Sequence, residues 1–67
     1  MRFIWIPESI TSPVVYAPKN YNEDNTPTSD FRKAIHFLTK KECKEWCLNN
    51  PNPQYIPVEH GFVEEVN

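Results

Sequence analysis

The prolines constrain this sequence more than any other feature. The chain contains seven prolines and a single glycine. Proline fixes the backbone angle φ and has no N–H, so it is excluded from helix interiors and from the central strands of a sheet. The prolines therefore divide the chain into short segments, and each segment can form only a short strand, a short helix or a loop.

The length and charge of the chain exclude several classes of protein. A chain of 67 residues buries only about 60% of the surface of its unfolded form, so we expect one domain, residues 1–67, with a small core. The net charge of −2 lacks the basic excess that binds phosphates, and we expect no direct nucleic-acid binding. No apolar run is long enough for a membrane span or a signal peptide, and the two cysteines suit a reducing compartment, so we expect a cytoplasmic protein without a membrane partner.

Four segments have the composition of strands. Residues 3–6 are aromatic and β-branched, and residues 14–17 lie between two prolines, as is typical of a strand at a sheet edge. Residues 31–38 and 55–66 alternate between apolar and polar side chains, which is the period of a strand. The glycine, Gly61, predicts a bulge or a turn within the last of these segments.

A helix is predicted from about residue 40 to residue 50. Thr39 and Glu42 have the spacing of a capping box, in which the threonine side chain accepts from the glutamate amide and the glutamate reaches back to the threonine amide. The helix then presents one apolar stripe, formed by Cys43, Trp46 and Cys47. The sequence therefore predicts a small α+β domain, with a sheet of three to four short strands and this helix packed on one face.

The candidate binding residues lie in and around an exposed polar loop, predicted at about residues 19–30. This segment has no periodic apolar residues and many turn formers. Tyrosine often anchors protein interfaces, although each tyrosine near the loop has the alternative role of covering the sheet edge. The predicted partner-binding residues are Tyr16, Tyr21, Glu23, Asp24, Tyr55, Glu64 and Glu65.

Four residues raise the question of a metal site: His36, Cys43, Cys47 and His60. Zinc sites in small domains take ligands of these types. However, the spacing of the cysteines places both thiols on the buried stripe of a regular helix, which favours two small core residues. No paired carboxylates suggest a general acid and base, and one glycine cannot form a phosphate-binding loop. We therefore expect no metal, no cofactor and no enzymatic activity.

The chain resembles the small accessory proteins that bacteriophages encode. The resemblance rests on the short length, the aromatic content, and a Thr39-Lys40-Lys41-Glu42 helix start joined to Trp46 and an Asn50-Pro51 stop. It implies a non-enzymatic inhibitor that binds and occludes a host or defence-system protein, such as a bacterial nuclease or immunity complex, as anti-CRISPR and anti-restriction proteins do. The alternative is a small metal-stabilised or nucleic-acid-associated regulatory protein, and the oligomeric state stays open.

Overall fold

Two strands and one α-helix form the framework of the fold. The computed structural model describes residues 2–62 of the chain. The elements, in chain order, are strand β1 (Arg2–Ser9), a 3-10 helix (Phe31–Lys33), helix α1 (Lys40–Asn49) and strand β2 (Tyr55–Phe62). The two strands pair antiparallel, and α1 packs against both of them. The prediction of an α+β fold with one helix packed on a small sheet is confirmed.

The sheet has a continuous register along its whole length. Ile4 lies opposite His60 and Phe3 lies opposite Gly61, and every other residue of β1 has one partner in β2. Gly61 therefore forms neither the bulge nor the turn that its identity predicts. Instead, the Phe3 ring lies across it: a Cβ atom at residue 61 would be 2.9 Å from Phe3 Cε1, which explains why a residue without a side chain fits there.

The predicted third and fourth strands are not found in the part of the chain that the structure describes. Residues 14–17 and 31–38 contribute isolated bridges only. They line the edge of β1 opposite β2: the Trp5 amide donates to the Phe37 carbonyl at 2.8 Å, the Phe37 amide donates back at 2.9 Å, and the Ser9 amide donates to the Val15 carbonyl at 2.8 Å. Pro13 and Pro18, which flank residues 14–17, cannot donate a backbone hydrogen bond to a neighbouring strand.

A local hydrogen bond prevents the start of residues 31–38 from extending as a strand. The Asp30 side chain accepts from the Arg32 amide at 2.9 Å, and this cap holds Phe31–Lys33 in a 3-10 turn. The apolar–polar alternation of residues 31–38 does not predict this cap, because Asp30 lies before the alternating segment. The backbone becomes extended again only at Ala34.

The two faces of the sheet carry separate apolar clusters, because successive side chains of a strand point to opposite faces. The helix cluster contains the buried residues Ala17, Cys43, Cys47 and Tyr55, with Trp5, Tyr21, Ile35, Phe37 and Trp46 packed around them. The isoleucine cluster contains Ile4, Ile6 and Ala34, with Tyr16 packed against them. The core of this small domain is therefore divided by its sheet into two layers.

Helix α1 begins at the predicted cap. The Thr39 side chain accepts from the Glu42 amide at 3.2 Å, as the capping box predicts. The second bond differs, since the Thr39 hydroxyl donates to the Glu42 carboxylate at 3.2 Å. The helices within residues 2–62 all fall short of the length and hydropathy needed to cross a lipid bilayer.

We expect Thr39→Ala to lower the free energy of unfolding by about 1 kcal/mol, because the first turn of α1 loses its cap. Urea denaturation followed by circular dichroism measures the change. Thr11→Ala is a matched control, since Thr11 is also exposed and its hydroxyl caps no helix. Equal stability of the two variants would show that the cap does not stabilise α1.

Candidate functional site

An open groove lies between the second half of α1 and the start of β2. Its volume is about 470 Å³. It is lined by Lys44, Cys47, Leu48, Pro51, Gln54, Tyr55, Ile56 and Pro57. We call it the α1–β2 groove. Two of its apolar side chains face solvent, Leu48 at 70% exposure and Ile56 at 41%.

The groove follows from the way α1 packs and ends. Cys43 and Cys47 are buried against the sheet, and Leu48, the next residue, is rotated by roughly 100° around the helix axis and leaves that buried face. Asn50 then closes the helix, because its amide donates to the Cys47 carbonyl at 3.3 Å and its side chain donates to the Trp46 carbonyl at 2.8 Å. The connection from α1 to β2 contains Pro51 and Pro53. Strand β2 then begins next to the end of α1, and an apolar cleft remains between the two elements.

The buried titratable groups packed beside the groove have raised pKa values. Burial, followed by the neighbouring Cys47, raises the pKa of the Cys43 thiol to about 12. Burial also raises the pKa of Cys47, and burial and then the nearby Tyr21 raise that of Tyr55. Both thiols are therefore protonated at neutral pH, whereas a nucleophilic cysteine needs its thiolate. Lys44 is the charged side chain that lines the groove.

Tyr55 does not have the exposed side chain on which its prediction as an interface anchor depended. It is 3% exposed, and its ring lies 6.0 Å from the Trp46 ring within the helix cluster. Its buried hydroxyl has no hydrogen-bond partner within residues 2–62. The residues next to Tyr55 in the sequence do not predict this burial, because the ring is covered by α1, a separate element.

The other two tyrosines are half-buried and contact aromatic rings. Tyr21 meets Trp46 edge-on, with 4.9 Å between ring centroids. Tyr16 meets His60 edge-on at 5.8 Å, on the face that carries the isoleucine cluster. These contacts correspond to the alternative role for the tyrosines, in which the rings cover the sheet. Part of each ring stays accessible to solvent.

Of the four acidic candidates, the two that the structure describes, Glu23 and Asp24, do not line the α1–β2 groove. Glu23 and Asp24 are exposed in the loop. The Asp24 carboxylate accepts from the Thr26 hydroxyl at 2.6 Å and from the Thr26 amide at 3.0 Å, and these bonds lower the pKa of Asp24. Glu64 and Glu65 lie outside the described residues. A role in partner binding for these residues, and for the accessible parts of Tyr16 and Tyr21, stays a prediction.

The histidines and cysteines considered as metal ligands do not converge. His36 Nε2 lies 2.8 Å from the Phe31 carbonyl oxygen, and His60 Nε2 lies 3.0 Å from Glu8 Oε2. The two thiols face the other side of the sheet, in the helix cluster. In the described range, no three histidine, cysteine, aspartate or glutamate side chains are placed to hold a metal ion together.

The residues on the open side of the groove, above all Leu48, Ile56 and Lys44, are not among the binding residues predicted from the sequence. One signal for Leu48 was present: a leucine next to the apolar stripe of a short helix, but not on it, has to be exposed if the stripe is buried. The sequence holds no comparable signal for Ile56, because its segment alternates regularly.

Comparison of the chain with protein-family models, with curated proteins and with solved structures gave no match.

Proposed function

We propose that this chain is a non-enzymatic binding protein whose α1–β2 groove docks onto a protein partner and occludes it. The observation that carries this proposal is the exposure of Leu48 and Ile56 beside the groove. In the isolated chain, most of Leu48 and a smaller part of Ile56 are exposed to water. A partner that fills the groove would remove both of them from water.

Burial of these side chains by a partner would contribute to the binding free energy. Full burial of a leucine or isoleucine side chain contributes about 1.5 to 3 kcal/mol, and a few such residues commonly dominate an interface. The groove combines these apolar side chains with the polar groups of Lys44 and Gln54. An apolar centre with polar groups around it is the usual anatomy of a protein–protein interface.

The resemblance to small bacteriophage proteins supports a choice of partner. It suggests a bacterial nuclease or immunity complex, which the chain would inhibit by covering a surface that the enzyme needs. Inhibition of this kind requires no catalytic group in the inhibitor. The protonated thiols of Cys43 and Cys47 suit such a role, because it depends on shape and burial.

A pair of leucine variants tests the proposal. Leu48 lines the groove, whereas Leu38, which is 71% exposed, does not. We expect tagged wild-type protein and Leu38→Gln to capture the same stoichiometric partner from a bacterial lysate and to inhibit its activity. Leu48→Gln should bind this partner about tenfold more weakly or worse, because it loses an apolar anchor. Titration calorimetry with the purified partner measures the difference.

Two results would contradict the proposal. If both leucine variants bind like the wild type, the partner does not use the groove. If the chain instead retains nucleic acid in a salt-sensitive way, or purifies with one zinc per molecule, the alternative of a nucleic-acid-associated or metal-stabilised regulator takes its place.

A further inference from the structure

Strand β2 has an outer edge whose backbone groups point away from β1. Trp5 exchanges both of its backbone hydrogen bonds with Phe37 on the opposite side of β1. The N–H and C=O of one strand residue point to the same side, so Trp5 and its cross-strand partner Glu59 form a non-hydrogen-bonded pair. The N–H and C=O groups of Glu59 therefore face outward, and those of Gly61 do so two residues later. Within residues 2–62, no other backbone segment pairs with this edge.

Pro57 limits how a further strand can pair with this edge. It belongs to the outward-facing set with Glu59 and Gly61, because these residues alternate along β2. Pro57 has no N–H and can only accept through its carbonyl. The edge therefore offers full pairing at Glu59 and Gly61 and a single acceptor at Pro57.

The free edge of β2 leads directly into the α1–β2 groove. Tyr55, Ile56 and Pro57 line the groove, and Glu59 follows Pro57 two positions later along the same strand. A peptide strand that bonds to Glu59 and Gly61 would continue past Pro57 into the groove. Alternate side chains of such a strand point toward the helix side of the sheet, where Leu48 is exposed.

The charge at the groove selects among peptide partners. Lys44 lines the groove and has no ion-pair partner among the residues that the structure describes. A carboxylate on the incoming strand would complement this ammonium group, and a like charge would be repelled. The preferred peptide therefore carries an aspartate or glutamate close to an apolar residue.

We propose that the partner binds by strand addition, in which an extended segment of the partner protein pairs with the free edge of β2. This segment places an apolar side chain beside Leu48 and a carboxylate beside Lys44. Main-chain hydrogen bonds would provide the pairing, and the groove would provide the side-chain specificity. This inference rests on the proposed function of the same groove and specifies the form of the partner.

The probes are peptides selected for binding to the intact chain from a random dodecapeptide library displayed on phage. We expect selected peptides with alternating apolar residues and at least one carboxylate. Their synthetic versions should slow amide hydrogen exchange at Glu59 and Gly61, as measured by NMR. Lys44→Gln should weaken binding roughly twofold to fivefold, whereas Lys41→Gln, an exposed change on the same helix outside the groove lining, should leave it unchanged.

Replacing Gly61 by N-methylglycine tests the backbone directly. The substituted chain can be made by ligating a synthetic segment at Cys47. The methyl group removes an outward N–H without touching the bonds between β2 and β1. We expect an unchanged melting temperature and a threefold to tenfold loss of peptide affinity, roughly the effect of one hydrogen bond.

Three results would overturn strand addition: no peptide is enriched, the bound peptides leave exchange at Glu59 and Gly61 unchanged, or the chain alone sediments as a dimer with those amides protected. The last result would identify a second copy of the chain as the occupant. If a partner still depends on Leu48 but protects neither amide, only strand addition fails. If binding does not depend on Leu48 at all, the proposed function fails with it.

Discussion

Replacing Trp46 with alanine is expected to lower the free energy of unfolding by about 3 to 5 kcal/mol. The Trp46 ring contacts three other aromatic rings of the helix cluster. Its centroid lies 4.9 Å from that of Tyr21, 6.4 Å from that of Phe37 and 6.0 Å from that of Tyr55. Alanine would remove all three contacts and leave a cavity between α1 and the sheet.

The loss is comparable with the whole stability of a small domain, which is about 5 kcal/mol at the lower end of the usual range. Urea denaturation followed by far-ultraviolet circular dichroism measures it. Trp46→Phe is the matched control, because it keeps an aromatic ring in the cluster and should cost much less. A cooperative transition of Trp46→Ala close to that of the wild type would contradict the packing of α1 on the sheet.

The second large effect is expected on the other face of the sheet. Ile6 is 0% exposed and is one of the largest fully buried side chains in the described structure. It packs in the isoleucine cluster with Ile4 and Ala34. Ile6→Ala should lower the free energy of unfolding by about 2 to 5 kcal/mol, because it removes buried methylene and methyl groups and leaves a cavity.

Ile10→Ala is the control for this prediction, because the same atoms are removed from a side chain that is 60% exposed. It should change the free energy of unfolding by less than about 1 kcal/mol. Thermal and urea denaturation of both variants provide the comparison. If Ile6→Ala is no more destabilising than Ile10→Ala, the isoleucine cluster does not contribute to a second core layer.

Helix α1 could be predicted from the sequence because its determinants are local. Thr39 and Glu42 are three residues apart, and their hydrogen bonds form within one turn. Cys43 and Cys47 are one turn apart, so their shared face follows from helix geometry alone.

The positions of both strands were also predicted, since aromatic and β-branched side chains favour an extended backbone. Their extent was not, because β1 continues through Pro7 to Ser9, where Pro7 lies opposite Pro57 of β2.

The number of strands could not be predicted in the same way. Residues 31–38 alternate like a strand, but the side chain of Asp30 competes for the backbone at their start. Residues 14–17 reach β1 and meet Thr28 at a single bridge. A pattern of side chains indicates which residues suit a strand, whereas the length of a strand depends on which neighbouring backbone is present to pair with it.

By itself, the sequence determined the α+β class, the helix with its cap, and the buried stripe that contains both thiols, because each depends on residues within a few positions of one another. Only the tertiary structure decided that Tyr55 is buried and that the groove opens beside the free edge of β2. These features depend on pairs that are distant in sequence, such as Ser9 and Tyr55, which lie opposite each other in the sheet. The exposure of a side chain is set by the element that packs over it, and the local sequence does not specify which element that is.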